Sequence, residues 1–265
     1  MRYVRIFLLH LQSTFAERAR SFVWFLMSLL NPLMLLLFWR GEIQMNNSRS
    51  INWSLTTITS YYFLQIIVGS MLMSHTEDDV ARRDIEEGNL AAYLLRPFSY
   101  YGIKLLNELS YRILQGGMGI LVLIIFYFFF GNFLTIANSP LKIFLSIIIA
   151  ILAFIVSFTY KMVLGIVAFW LTDIGGIFQL SEMLIFIFAG YIIPLSLFPS
   201  QLQQISYLLP YGYIIYFPIV AFQGKLTLVE LLQVIGMQLV WAGILFGLYK
   251  FLWKRGIRKF SGVGQ

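Results

Sequence analysis

From Ser21 to Trp39 the chain reads SFVWFLMSLLNPLMLLLFW, nineteen residues without one ionisable side chain. As a helix rising 1.5 Å per residue, this run is about 29 Å long, close to the hydrocarbon thickness of a bilayer. Inside lipid every backbone N–H and C=O needs a partner within the protein, so such a run is driven to be helical. Five further runs of the same character follow, at about 53–74, 113–133, 141–171, 174–197 and 228–253. Pro32 is expected to kink the first, and the 141–171 run is long enough to cross with tilt. These runs predict an all-α polytopic membrane protein with six transmembrane helices in one domain, 1–265, with no internal repeat and no soluble appendage. The charged fraction of 12% agrees, because a soluble domain carries about twice as much. The aromatic share of 17% suits a chain with many positions at the bilayer surface.

Two segments outside these runs are apolar without being long enough to cross. In residues 1–20, Val4, Phe7, Leu8, Leu11 and Phe15 recur at helical spacing with arginines around them, which predicts an amphipathic helix lying on membrane lipid. It reads either as an anchor or as a lever on the first span, and periodicity alone favours the anchor. Its apolar stretch starts too late and runs too long for a secretory signal. Residues 200–224 are cut by Pro210 and Pro218, and two crossings would need about 40 residues. A pair of short broken helices dipping into the outer leaflet fits, with Tyr207, Tyr211, Tyr213, Tyr216 and Phe217 as an interfacial belt.

The net charge of +7 is distributed by topology, not as a nucleic-acid patch. With six spans, fourteen Lys and Arg fall on one side, in the N-terminal segment, the 75–112 segment and the C-terminus. Arg40, Arg49, Lys142 and Lys225 fall on the other, and Lys161 lies within a span. Both termini and residues 75–112 are therefore expected to be cytoplasmic.

Seven of the twelve acids lie between Glu77 and Glu108. A charge run of this kind is usually a solvated helix, but Glu77, Asp78, Asp79, Arg82, Arg83, Asp84, Glu86 and Glu87 are dense for a short loop. A soluble partner of complementary charge would account for them. The chain has no phosphate-binding loop, no G-x-S-x-G elbow and no H-E-x-x-H. With no cysteine, and with His10 and His75 far apart, nothing has metal-ligand spacing. No catalytic, cofactor or metal residues are expected, and the chain is not expected to be an enzyme.

The order of these features resembles the permease subunits of bacterial ABC-2 type exporters that lack an ATPase domain. The resemblance rests on the six runs, the N-terminal helix, and I-x-x-G-x-L-x-x-x-L-L-R-P at Ile85, Gly88, Leu90, Leu94, Leu95, Arg96 and Pro97. It continues through YFPIVAFQGKLT to a last span with a basic, glycine-containing tail, QLVWAGILFGLYKFLWKRGIRKFSGVG. It implies a half-transporter of the cytoplasmic (inner) membrane, paired with a second copy or a related permease and docked on two separate ATPases that hold ATP and Mg²⁺. Carried onto this chain, Glu77, Asp78, Asp79, Arg82, Arg83, Ile85, Gly88, Leu90, Arg96 and Pro97 become the ATPase-coupling candidates. Gly88 is placed to end a short helix in the left-handed conformation.

Two charges lie deep in the expected spans, Lys161 and Glu182. Counted from Asp173, they sit about 18 Å and 13 Å along their helices, close enough in depth to pair. Alternatively each faces water separately, or Lys161 reaches the interface. An ion-coupled secondary transporter would need more such charges and inverted repeats. A non-transporting assembly factor would not need so many spans.

Overall fold

A computed structural model describes residues 2–45, 53–130, 134–171 and 173–260. Arg49, Phe133, Thr172 and the tail from 261 to 265 lie outside the described residues. All regular structure among those described is helical. Helix α1 (Arg2–Ala16) leads into α2 (Arg18–Met45), which continues through Pro32. Helix α3 (Leu55–Leu72) is capped by the Ser54 hydroxyl, which accepts from Thr57 N at 3.2 Å. A turn, α4 (Thr76–Asp78), a π-helical stretch (Asp79–Glu86) and a turn of helix, α5 (Leu90–Leu94), lead to α6 (Tyr100–Phe130). Then come α7 (Pro140–Ile166), α8 (Gly175–Phe188), α9 (Ser200–Leu208), α10 (Tyr216–Phe222) and α11 (Leu228–Gly256). Thr227 and Glu230 start α11 with a reciprocal capping box.

Five helices among the described residues are long and apolar enough to cross a membrane: α2, α3, α6, α7 and α11. The fifth expected run, 174–197, departs from the expectation. Its helix α8 has 14 residues, about 21 Å, and ends before Gly190, which takes φ 77°. The non-helical backbone that follows is satisfied by side chains of α3. Tyr61 and Tyr62 hydroxyls donate to the carbonyls of Gly190 (2.6 Å) and Ile192 (2.7 Å), and Gln65 Nε2 donates to Tyr191 O at 3.0 Å. Irregular backbone is tolerated at membrane depth only when protein supplies such partners. The sequence shows an apolar run here but not the three donors facing it from α3.

Helix α9 and the Tyr211–Phe222 stretch form a pair bent by 74°, as the prolines predict. Its aromatics are not an interfacial belt. Tyr211, Tyr213, Tyr216 and Phe217 are all buried, in one core with Tyr61, Tyr62, Ile149, Leu195 and Ile219. The Tyr213 and Phe217 rings stack at 4.6 Å, and the Tyr213 hydroxyl donates to Tyr207 O at 2.9 Å. The hydroxyls find partners inside, so these rings lose nothing by leaving the lipid headgroups.

Helix α7 is packed along α11, and α3 lies against α2 and α6. The beginning of α1, the beginning of α6 and the end of α11 meet at one end of the molecule. There Tyr3 meets Phe98 edge-on at 5.4 Å, and Trp253 stacks on Tyr100 at 4.7 Å. Val4, Leu8 and Phe15 of the N-terminal stripe are exposed, while Phe7 and Leu11 are half-buried, leaving α1 an apolar face suited to lipid.

Candidate functional site

The charged segment is built at that end, where α3 stops. Ser74 N donates to Ser157 Oγ at 2.9 Å, and His75 N donates to Glu108 Oε1 at 3.3 Å, so the break after α3 keeps its hydrogen bonds. The π-helical stretch closes with Glu87 N donating to Arg82 O at 2.9 Å, a wide i→i−5 bond. Gly88 then takes φ 81°, the left-handed conformation that ends the stretch, and Asn89 Nδ2 donates to Arg83 O at 2.7 Å.

The charges of the segment divide into two sets. Three acids are buried, and each is paired with a base on a long helix. Glu77 pairs with Lys161 of α7, Asp84 with Lys104 of α6, and Glu108 with Arg112 one turn along α6 at 2.8 Å. The Tyr100 hydroxyl also donates to Asp84, and Arg112 Nη2 lies 3.1 Å from His75 Nδ1. The second set is exposed. Asp78–Arg82 (2.8 Å) and Asp79–Arg83 (3.3 Å) are surface i, i+4 pairs, each contributing only about 0.3–0.5 kcal/mol. Glu86 and Glu87 are exposed beside them.

The sequence candidates divide the same way. Asp78, Asp79, Arg82, Arg83, Arg96 and Pro97 are on the surface, Ile85 is half-buried, and Glu77 and Leu90 are buried. Leu90 and Val80 pack on Phe158, Met162 and Ile166 of α7. Beside the exposed edge lies a cleft of about 390 Å³ walled by Arg83, Asn89, Tyr93, Arg96 and Asn107, with Leu95 standing out at 88% exposure. Lys161 and Glu182 do not pair. Glu182 is exposed on α8, and Lys161 is held by Glu77 instead. The partner of Lys161 comes from the segment inserted against α7, which a count of residues along two helices does not reveal. Both Lys104 and Arg112, with Glu108 between them, were missed as buried groups. Their spacing of i, i+4 and i+8 is the signal, since it puts all three on one face of α6, whose helix starts at Tyr100 rather than near 113.

His10 of α1 is half-buried near this cluster. Burial, then the charges of Lys104 and Arg96, hold its pKa below the ordinary imidazole value. The unfolded chain therefore binds the proton more readily, so His10 favours docking of α1 fully above about pH 6.5 and loses that contribution as pH falls through the folded value. Protection of the α1 amides, corrected for the intrinsic pH dependence of exchange, should fall as pH drops below about 6.5, and His10→Gln should flatten the change. Equal pH dependence in both proteins would place the effect elsewhere.

Among the described residues no group of three or more His, Cys, Asp or Glu could hold a metal ion. No curated protein matches the chain. The profile of the family described as "ABC-2 family transporter protein" matches residues 29–264, nearly the whole length. The chain thus belongs to the ABC-2 family of transporter proteins, as a multi-pass membrane permease of an ABC transporter.

Proposed function

We propose that this permease forms half of the pathway of an ATP-driven exporter in a bacterial cytoplasmic membrane. It pairs with a second copy or a related permease, and two separate ATPase subunits, which bind ATP and Mg²⁺, dock on residues 75–112. The observation that carries the docking reading is the two-sided segment. One face is fixed into the helices through Glu77, Val80, Asp84 and Leu90, while the other offers Asp78, Asp79, Arg82, Arg83, Arg96 and Leu95 to solvent. Mixed charge around an exposed apolar side chain suits a protein partner, where charge sets register and the apolar group supplies burial. The fourteen Lys and Arg of the N-terminal, 75–112 and C-terminal segments support a cytoplasmic setting for that end. Lys161 is already neutralised by Glu77, which removes one of the two deep charges that ion coupling would use.

The test is to purify the chain with its ATPase and reverse Arg82 and Arg83 to Glu. Both side chains are more than half exposed, so losing two surface pairs and gaining two like-charge neighbours should destabilise the isolated permease by only about 1–2 kcal/mol. Transport should fall by about tenfold or more, because like charges now face the partner. The permease freed of ATPase should hydrolyse no ATP, since it has no phosphate loop. Transport at the wild-type rate in the double reversal would mean that coupling runs through other residues.

A further inference from the structure

The segment proposed to meet the ATPase is fastened to two different helices. Its buried residues, Glu77, Val80, Ala81 and Asp84, recur at i, i+3, i+4 and i+7, one continuous face. At the far end Asp84 is held by Lys104 and Tyr100 of α6. At the near end Glu77 is held by Lys161, whose residue is 1% exposed. One turn beyond Lys161 on the same face of α7 is Gly165, where an added Cβ would lie 2.7 Å from Val80 Cβ and 3.0 Å from Glu77 O. Ala81 is covered by Ala168 and Ile174 just past the end of α7. Two consecutive turns of α7 thus receive two consecutive contacts of the segment.

From this geometry we propose that Lys161 is a positioning residue for energy coupling: its ion pair with Glu77 fixes the register of the segment on α7, so that a displacement of the exposed edge is delivered to α7 and to α11 packed along it. The proposal rests on the docking reading above. A buried ion pair is a poor way to gain stability, because well-packed apolar residues of similar size usually do as well or better. What the pair supplies is a fixed meeting point. Apolar side chains at both positions could slide by a fraction of a turn at little cost, whereas a charge buried at 1% exposure holds its one partner. The Glu77–Lys161 contact also spans 84 residues of chain, so it ties the segment to a helix it does not follow. About three turns earlier along α7, Ile149 O accepts from Gln238 Nε2 of α11 at 3.0 Å, a second fixed point from which motion of α7 passes on.

The experiment compares Lys161→Met, the apolar pair Glu77→Leu with Lys161→Met, and the swap Glu77→Lys with Lys161→Glu. Each is read in membranes with the ATPase and as permease alone. Lys161→Met should be the least stable, because it leaves a buried carboxylate. The apolar pair should recover wild-type stability and ATPase binding yet transport about tenfold more slowly per ATP hydrolysed, and the swap should restore part of that coupling. In the permease alone, amide exchange of residues 79–87 should be about tenfold faster in the apolar pair, with α3 and α11 unchanged. An apolar pair with wild-type exchange overturns the register argument whatever the partner does. An apolar pair with faster exchange and undiminished transport per ATP overturns the role in coupling. Failure of the wild-type chain to bind any ATPase, with faster exchange in the apolar pair, would overturn the docking reading on which the coupling role stands while leaving the register intact.

Discussion

Replacing Asp84 by Ala should destabilise the folded permease by about 3–5 kcal/mol, the range for breaking one side of a buried ion pair. The Lys104 and Asp84 side chains are 5% and 4% exposed, so each meets little water in the folded protein. Without the carboxylate the Lys104 ammonium stays buried, and the Tyr100 hydroxyl loses its acceptor as well. The rings of Tyr93 and Tyr100, at 5.3 Å and 5.8 Å from Lys104 Nζ, can offset only part of this, about 0.5–2 kcal/mol. Adding Lys104→Met should therefore recover most of the loss, since no charge is then left unpaired. Denaturant titration of the purified variants in detergent measures both changes. An Asp84→Ala protein as stable as wild type would mean that water reaches Lys104.

The second large effect is expected at Gly165. Its Cβ position lies 2.7 Å and 2.8 Å from Val80 Cβ and Cγ1, well inside ordinary carbon contact of about 3.5–4.0 Å. The third obstacle is the backbone carbonyl of Glu77 at 3.0 Å, which cannot rotate away as a side-chain end could. Gly165→Val should push the segment off α7 and cost about 1–3 kcal/mol, the usual range for overpacking. Transport should fall well beyond what the stability loss explains, because the Glu77–Lys161 contact opens with it. Gly165→Ala should be milder in both respects. Thermal unfolding beside a transport assay checks the prediction, and a Gly165→Val protein equal to wild type in both would mean that α7 and the segment are not in contact.

Much of the architecture was legible because hydropathy is a property of each run by itself. Ser21–Trp39 must be buried in something apolar whatever surrounds it, and Thr227 with Glu230 marks the start of α11 from local chemistry alone. The break after α8 was not legible, since the residues that permit it, Tyr61, Tyr62 and Gln65, lie more than 120 positions away. Nor could composition decide that Tyr213 and Phe217 stack in a core, because the same rings suit a bilayer surface equally well. The charged segment stands out in the sequence by its density, but its division into a buried and an exposed set does not.

By itself, then, the sequence determined that this chain lives in a membrane, roughly where most of its long helices run, and that one stretch between Glu77 and Glu108 is dense in charge. The tertiary structure decided which of those charges remain free to meet a partner. Asp78 and Asp84 are the same residue type six positions apart, yet one is surface-paired with Arg82 and the other is buried on Lys104. That difference comes from the face each presents to α6 and α7, and a facing relation between helices distant in the chain is fixed only when they pack.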